Sequence, residues 1–276
     1  MSDLESERPA KRPGGSKPGT PRSRLGVRVD RVLSAALAGE PHVTLNVKAS
    51  ELIADAGPVA DAINAVFERA GPGIMVQWSV TQALKPSGLE TELLNLLVNR
   101  DPKVRIAAAR LCGALRMTDS LPWIADLLTD SRPRVWDAAV RALGDLGGSR
   151  AVDALMSAVG RIPQHRLAIE LAHAASDMDI EALMREPASV QAAVVTVLAC
   201  GLRRDPLRAG PLSAIAHDRR WPARVRAAAC RSLAMIGDPG TLDGLRSLAS
   251  DPDAAVRSEA AEAQRRLGPA GKAGQA

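Results

Sequence analysis

Apolar and polar positions recur along residues 88–268 with a period of 31 residues. The recurrence is clearest when the chain is aligned on four valines: Val104, Val135, Val225 and Val256. An alanine lies four positions after each valine, and a leucine or isoleucine lies eleven positions after it. In three of the four copies, apolar residues also lie eleven, eight and seven positions before the valine. Each copy therefore predicts an amphipathic helix, a turn and a second amphipathic helix.

The turns inside these copies carry signals for the start of a helix. Residues 101–102 and 251–252 both read Asp-Pro, and aspartate caps a helix while proline is tolerated in its first turn. The interval from Val135 to Val225 is 90 residues, close to three periods, which predicts two degenerate copies within it. We therefore expect six repeats, of which four are clear and two are eroded.

Residues 28–85 do not follow this repeat. Within them, residues 42–48 and 74–80 alternate apolar and polar side chains, which is the pattern of a half-buried strand. Residues 59–70 place apolar side chains on one helical stripe. The order strand, helix, strand predicts a small βαβ segment. A two-stranded sheet has unpaired edges, so this segment is predicted to make a second contact or to join two copies in a homodimer.

The expected chain is mainly α and has four parts. Residues 1–27 are rich in Pro, Gly, Ser, Arg and Lys and are predicted to form a disordered basic tail. Residues 28–85 form the βαβ segment, and residues 86–268 form the helical repeat domain. Residues 269–276 are predicted to be a disordered C-terminal end.

The pattern of Asp, Pro, Val-Arg and Ala resembles the short bacterial HEAT-like repeats named after phycobilisome lyases, over residues 88–268. The resemblance implies an α-α superhelix, a HEAT-like solenoid. Proteins of that family serve mainly as protein-binding scaffolds, and a few are enzymes. In such repeats the arginine after the aligned valine, here Arg105, Arg226 and Arg257, pairs with the turn aspartate of a neighbouring repeat. Trp136 takes that position in the second copy.

The formal net charge of +5 is unevenly distributed. Residues 1–28 carry seven Lys or Arg against three Asp or Glu, and residues 200–232 carry eight Arg against two Asp. The rest of the chain is mildly acidic, so these two basic zones bear on binding partners. The three cysteines, Cys112, Cys200 and Cys230, lie in helical patterns, and their odd number argues against a disulfide framework.

The sequence lacks the common catalytic and nucleotide-binding motifs. It contains no G-x-S-x-G nucleophile elbow, no phosphate-binding loop and no G-x-G-x-x-G. Some HEAT-like enzymes hold iron through His-Glu dipeptides, and this chain has none. Glu170 and His173 stand at i and i+3, which is half of a carboxylate-bridged two-metal pattern, and the other half is missing. We therefore expect no enzymatic activity, no metal and no cofactor.

Two features are candidates for recognition. Trp136 either covers a gap between repeats or is an exposed anchor of an interface. The second feature is a group of arginines around Trp221: Arg203, Arg204, Arg208, Arg219, Arg220, Arg224, Arg226 and Arg231. Guanidinium groups suit carboxylates and phosphates. The group is therefore open to three interpretations: a solvated face with structural ion pairs, a surface for an acidic protein, or a nucleic-acid site.

These observations predict a cytoplasmic bacterial scaffold or adaptor whose repeat surface binds a protein partner, with the arginine group facing an acidic part of that partner. The alternative is a nucleic-acid-binding protein that uses the basic tail and the same arginines. A HEAT-like enzyme of the lyase kind is the third hypothesis. No stretch is apolar enough for a membrane span or a signal peptide, so no membrane contact is expected.

Overall fold

The computed structural model describes residues 23–40, 43–71, 74–84 and 88–268. Most of the predicted basic tail and the whole predicted C-terminal end therefore lie outside the described residues. The described residues form two compact units that divide in sequence at Leu155. They are called the first and the second unit below. Helices make up most of both units.

The first unit begins with four helices: α1 (Arg24–Leu37), α2 (Ala49–Ala54), α3 (Ala56–Ala70) and α4 (Ile74–Leu84). Helix α1 starts before residue 27, so the end of the predicted tail is helical. Helix α3 confirms the predicted apolar stripe, because Val59, Ile63 and Val66 are buried. Helix α1 packs against both α3 and α4.

The predicted βαβ segment is wrong, since no β-strand occurs among the described residues. Residues 43–48 are neither helix nor strand, and their alternation does place Leu45 and Val47 in the core. No second strand pairs with them in the described part of the chain. Instead, the N–H of Leu45 donates to the carbonyl oxygen of Ala83, near the end of α4, over 2.9 Å. Part of the backbone of this segment is thus satisfied by a helix end rather than by a sheet.

Residues 74–80, the second predicted strand, belong to α4. Val80 and Ala83 are buried three positions apart on one face of this helix, as helical periodicity requires. Branched and aromatic residues favour a strand only where a neighbouring strand offers a surface to pack on. Helix α4 packs against α1 instead. Met75 and Trp78 lie on another face of α4 and are 66% and 57% exposed.

Residues 88–268, all of them described, form six consecutive helix pairs, which confirms the predicted repeat. The pairs are α5 (Leu89–Leu97) with α6 (Pro102–Ala114), α7 (Leu121–Leu127) with α8 (Pro133–Leu146), α9 (Ser149–Ser157) with α10 (Gln164–Ala174), α11 (Asp177–Arg185) with α12 (Val190–Arg203), α13 (Ala209–His217) with α14 (Ala223–Ile236), and α15 (Leu242–Ser247) with α16 (Ala254–Leu267). The third and fourth pairs are the two eroded repeats.

Local capping explains where several of these helices begin and end. The carboxylate of Asp101 accepts a hydrogen bond from the N–H of Lys103 over 2.8 Å, at the start of α6. Asp253 accepts one from the N–H of Ala255 over 2.9 Å, at the start of α16. Helix α14 ends at Gly237, whose φ of 82° is a conformation that glycine adopts without strain. The Asp-Pro at 101–102 is therefore a genuine helix start, whereas at 251–252 the helix begins only after Pro252, with Asp253 as its cap.

The second helices of consecutive pairs pack side by side, α6 with α8 in the first unit, and α10, α12, α14 and α16 in succession in the second. Small residues let these helices approach closely: Gly113 faces Ala142, and Gly201 faces Ser232. The hydroxyl of Ser232 also donates to the carbonyl oxygen of Val197 over 2.8 Å, inside the core. Alanine and glycine at the contacts suit a chain in which aromatic residues make up only 2% of the sequence.

Candidate interaction surface

In the second unit, the helix pairs present two opposite edges. The turns within pairs form one edge, called the turn edge, at residues 158–163, 186–189, 218–222 and 248–253. The connections between pairs form the other edge, called the connection edge, at residues 175–176, 204–208 and 237–241. Neighbouring second helices run in the same direction. Arg203, at the end of α12, donates to the carbonyl oxygen of Ala175, just after the end of α10, over 2.6 Å.

The predicted arginine group is divided between these two edges, except for Arg231, which lies midway along α14 and pairs with Glu259 of α16. Its first three members, Arg203, Arg204 and Arg208, lie at the connection edge. The members from Arg219 to Arg226 lie at the turn edge. Helix α13 separates the two sets, and its nine residues span about 13 Å at the usual helical rise. No single surface therefore holds the whole group.

At the connection edge, Arg203 and Arg208 serve the fold. Arg203 donates to Asp177 over 2.7 Å. Arg208 is buried, and its guanidinium lies 3.3 Å from the carboxylates of both Asp177 and Glu181. These contacts tie the connection between α12 and α13 to the start of α11. Arg204 differs, because it is exposed and its side chain makes no hydrogen bond or ion pair with any described residue.

Two arginines form the expected ladder between neighbouring pairs. Arg226 is buried and donates to both carboxylate oxygens of Asp251, with Nη2 3.2 Å from Oδ1. Hydrogen bonding from Arg226 lowers the pKa of Asp251 below its ordinary value. In the first unit, Arg105 pairs with Asp130 over 2.5 Å in the same way. Arg257 does not join the ladder, since it donates to carbonyl oxygens of its own turn.

Three members of the predicted arginine group are exposed at the turn edge: Arg219, Arg220 and Arg224. Arg220 donates to the carboxylate of Asp218 over 2.8 Å and lowers the pKa of that group, yet the Arg220 side chain remains 92% exposed. The side chain of Arg224 makes no hydrogen bond or ion pair within the described residues. These guanidinium groups face solvent and contribute little to helix packing.

The excess of positive charge extends along the turn edge of the second unit. Residues 158–166, 185–193, 218–226 and 248–257 contain eight arginines and four acids. The first turns of α10, α12, α14 and α16 hold no acidic residue. Acids are the residues that the positive end of a helix dipole favours. Arginine side chains and four helix N-termini therefore both make this edge positive.

The connection edge of the same unit has the opposite sign. Residues 175–181, 203–209 and 236–243 contain six acids and three arginines. Two of the acids, Asp177 and Asp179, lie in the first turn of α11, where the helix dipole favours them. The two edges of the unit therefore suit different partners.

The two candidate tryptophans are both half-buried. Trp136 lies on α8 in the first unit. Trp221 follows the arginines of the turn edge and lines a shallow apolar recess together with Leu183, Met184 and Ile215. Trp221 thus contributes to the packing where the fourth and fifth pairs meet, and part of its ring remains open to solvent.

Glu170 and His173, the half of a two-metal pattern found in the sequence, do not form part of a metal site. No group of three or more His, Cys, Asp or Glu side chains is placed to hold a metal ion in the part of the chain that is described. Glu170 is buried, and its carboxylate lies 3.9 Å from the guanidinium of Arg166. A membrane span would require a longer and more apolar helix than any among the described residues.

The three cysteines are buried, and burial raises the pKa of Cys112 and Cys230 to about 12 and that of Cys200 to about 11. The thiolate is the reactive form of cysteine. We therefore expect no reaction of native protein with dithiobis(nitrobenzoate) at neutral pH, and full reaction of all three thiols after unfolding in guanidinium chloride. The absorbance of released thionitrobenzoate measures both. A thiol that reacts equally fast in native and unfolded protein would contradict the buried placement.

Sequence reasoning missed two exposed apolar residues at the connection edge, Met178 and Leu207, which are 81% and 85% exposed. It also missed Asp177, the acid that pairs with Arg203 and Arg208, because it is distant from them in sequence. The position of these two apolar residues within the repeat is the sequence signal that could have identified them. Both residues stand two positions after a helix-capping residue, Ser176 in one case and Asp205 in the other.

Comparison with known proteins adds a family match and several similar structures. The sequence model for HEAT repeats matches residues 90–175 and 179–265, more than half of the chain. Human deoxyhypusine hydroxylase in complex with glycerol is 18% identical with a TM-score of 0.34, covering 88% of this chain and 96% of that chain. An engineered protein is 20% identical with a TM-score of 0.29, covering 87% and 96%. The complex of CpcE and CpcF of phycocyanin lyase from Nostoc sp. PCC7120 is 16% identical with a TM-score of 0.34, covering 75% and 94%. No curated protein sequence matches the chain.

Proposed function

Because the chain belongs to the HEAT-repeat family, we propose that it is a protein-binding scaffold and that the turn edge of its second unit binds an acidic segment of a partner protein. The observation that carries the proposal is the exposure of Arg219, Arg220 and Arg224 at an edge where helix N-termini add positive potential. Helix packing makes little use of these three side chains, so they are available to a partner.

The spacing of the repeats indicates how the acids of the partner are arranged. Packed helices lie about 8–10 Å apart, so successive turns of the edge repeat at about that distance. Carboxylates seven residues apart on one face of a helix are separated by about 10 Å. A partner segment with acids at such intervals can reach the arginines of several pairs at once.

Apolar surface beside the arginines favours a protein over a nucleic acid. The half-buried ring of Trp221 and the apolar recess next to it adjoin Arg220. An acidic segment that also carries an apolar side chain can contact both features. Phosphates would use the arginines and the helix N-termini but not the recess. Binding of nucleic acid is therefore an alternative outcome of the experiment below.

The test reverses the charge of Arg219, Arg220 and Arg224 to glutamate in the full chain. The matched control reverses Arg246, Arg265 and Arg266, which are exposed, lie outside the turn edge and change the net charge equally. Fluorescence anisotropy measures binding of a labelled glutamate-rich peptide and of a single-stranded oligonucleotide of equal net charge. We expect the turn-edge variant to bind the peptide about ten-fold or more weakly, and the control to change little.

The outcomes separate the two classes of partner. Loss of peptide binding in the turn-edge variant alone, at unchanged helicity, supports the proposal. Tighter binding of the oligonucleotide than of the peptide, with a steep salt dependence that the same variant removes, would replace it with nucleic-acid binding. An equal loss of peptide binding in the turn-edge variant and in the control would show that the turn edge is not the binding site. Affinity capture from a lysate, quantified for the same three proteins, then identifies the partner that only the turn-edge variant loses.

A further inference from the structure

Trp221 is an exception to the residue type that the repeat places at its position. In the four clear copies, the residue four positions before the aligned valine is Arg100, Ser131, Trp221 and Pro252. The other three are exposed, whereas Trp221 is half-buried and lines a recess with residues of the preceding pair. Polar residues and proline are the usual choices for a turn that begins a helix. The repeat itself therefore does not explain this tryptophan.

A second large apolar residue lies at the same edge, in the fourth pair. Val190 begins α12 and is 42% exposed. It lies about one helical turn before Ala193, which lines the same recess as Trp221. The other five second helices begin with proline, alanine or glutamine. Val190, Trp221 and the recess are called the apolar patch below, and together they are larger than a singly exposed apolar residue.

The shape of the recess favours a flat side chain as its occupant. The recess encloses no space even for a water molecule, so a branched aliphatic group cannot be buried inside it. A planar ring can lie across it and pack on the open part of the Trp221 ring, as aromatic pairs do in proteins. Within the part of the chain that is described, no guanidinium group lies over that ring.

The backbone holds Trp221 in place before any partner binds. Its N–H donates to the carbonyl oxygen of Asp218 over 3.0 Å. Pro222 follows it, and a proline restricts the backbone of the residue before it. An aromatic side chain on a fixed backbone loses little conformational entropy when it binds. Trp221 is therefore preorganised as an anchor for another ring.

Arginines of both pairs border the apolar patch. Arg185 ends α11 in the fourth pair, Arg220 precedes Trp221 in the fifth, and both are exposed. The acids of the same two turns are Glu186 and Asp218, of which Asp218 already pairs with Arg220. Together with the other exposed arginines of the turn edge, these residues leave the border positive. An apolar centre with a positive border is complementary to an aromatic side chain that has carboxylates on both sides.

We propose that the acidic segment of the partner carries an aromatic side chain, and that this ring lies on the apolar patch against Trp221 and Val190. Carboxylates on both sides of the ring then contact the arginines of the fourth and fifth pairs. Trp221 thereby distinguishes acidic segments that contain an aromatic residue from acidic segments that lack one. This inference rests on the proposed function, because it concerns the same edge.

Three glutamate-rich peptides of equal length and net charge, with Phe, Leu or Ala as the central residue, test the proposal. Fluorescence anisotropy measures the affinity of each labelled peptide for the full chain. The wild type is expected to bind the Phe peptide about ten-fold more tightly than the Ala peptide, with the Leu peptide between them. In Trp221→Ala, the ratio of the Phe and Ala affinities is expected to fall to about one.

Three further variants separate this contact from a structural role of Trp221. Trp221→Phe keeps a ring and is expected to keep most of the ratio. Val190→Ser changes an exposed side chain and is expected to lower the ratio about three-fold. Trp123→Ala is the matched control, because it removes a tryptophan that is 40% exposed in the first unit, and it is expected to leave the ratio unchanged. Damage to the fold would weaken binding of both peptides equally.

The outcomes distinguish this inference from the proposed function. Equal affinities of the wild type for the Phe and Ala peptides, both lost on charge reversal of the turn edge, would overturn the inference and leave the proposed function intact. Failure of every peptide to bind would overturn both. A preference for Phe that persists in Trp221→Ala would also contradict the inference. Tighter binding of a single-stranded oligonucleotide, lost in the same variant, would identify a nucleobase as the occupant instead.

Discussion

Replacing Gly201 with alanine is expected to lower the free energy of unfolding of the second unit by about 3 kcal/mol. A Cβ at this position would lie 2.7 Å from both the Cα and the Cβ of Ser232 on α14. Both backbones are helical, so neither can move away locally, and α12 and α14 must separate. Their separation would also strain the hydrogen bond from Ser232 to the carbonyl oxygen of Val197. Guanidinium-induced unfolding followed by circular dichroism measures the loss.

Gly210 provides the control, because it lies in α13 of the same unit and an added Cβ would meet nothing within 4 Å. Gly210→Ala is expected to be neutral or to stabilise by about 0.5–1 kcal/mol, since alanine favours a helix more than glycine does. Gly113→Ala should repeat the loss in the first unit, where a Cβ would lie 2.6 Å from the Cα of Ala142. Equal stability of the Gly201 and Gly210 variants would show that the close approach of α12 and α14 is not needed.

The repeat register could be predicted because burial within a stacked helix pair follows local periodicity. Of the four valines on which the alignment rests, Val135, Val225 and Val256 are fully buried and Val104 is half-buried. The importance of Gly201 could not be predicted in the same way. A glycine inside a helix does not reveal which neighbouring helix approaches it, and that information requires the register of α12 against α14.

The βαβ segment shows the limit of an alternating pattern. Alternation correctly identified Leu45 and Val47 as buried. A strand also needs a partner for its backbone, and none is present among the described residues. For residues 74–80 the same pattern was also compatible with a helix, since the buried Val80 is followed three positions later by the buried Ala83.

The arginine group was predicted as one surface because its members are close in sequence. Helix α13 carries the chain from one edge of the unit to the other, so closeness in sequence does not become closeness in space. Which arginines are free depends on acids that lie far along the chain. The resemblance to HEAT-like repeats implied the pairing of Arg226 with the turn aspartate Asp251, but only the structure shows that Asp177 pairs with Arg203. Exposed arginines that are candidates for binding a partner therefore remain only at particular turns and helix ends.

Replacing Arg226 with methionine is expected to lower the free energy of unfolding of the second unit by about 3–5 kcal/mol at neutral pH. The substitution leaves the carboxylate of Asp251, a residue only 6% exposed, without its charged partner. An unpaired buried charge costs far more than the loss of a surface pair. Thermal and chemical unfolding of the full chain, both followed by circular dichroism, measure the change.

The difference in the free energy of unfolding between wild type and the Arg226 variant should become smaller at acidic pH. In the wild type, hydrogen bonding from Arg226 holds the pKa of Asp251 below its ordinary value. The stability that this carboxylate contributes is therefore complete above about pH 4, and it is lost as the pH falls through the lowered pKa of the folded state. The variant has no such contribution to lose. Arg246→Met, which breaks a pair whose side chains are 65% and 91% exposed, serves as the control and should change stability by less than about 0.5 kcal/mol. An Arg226 variant that matched this control at neutral pH would mean that the ladder between pairs does not stabilise the stack.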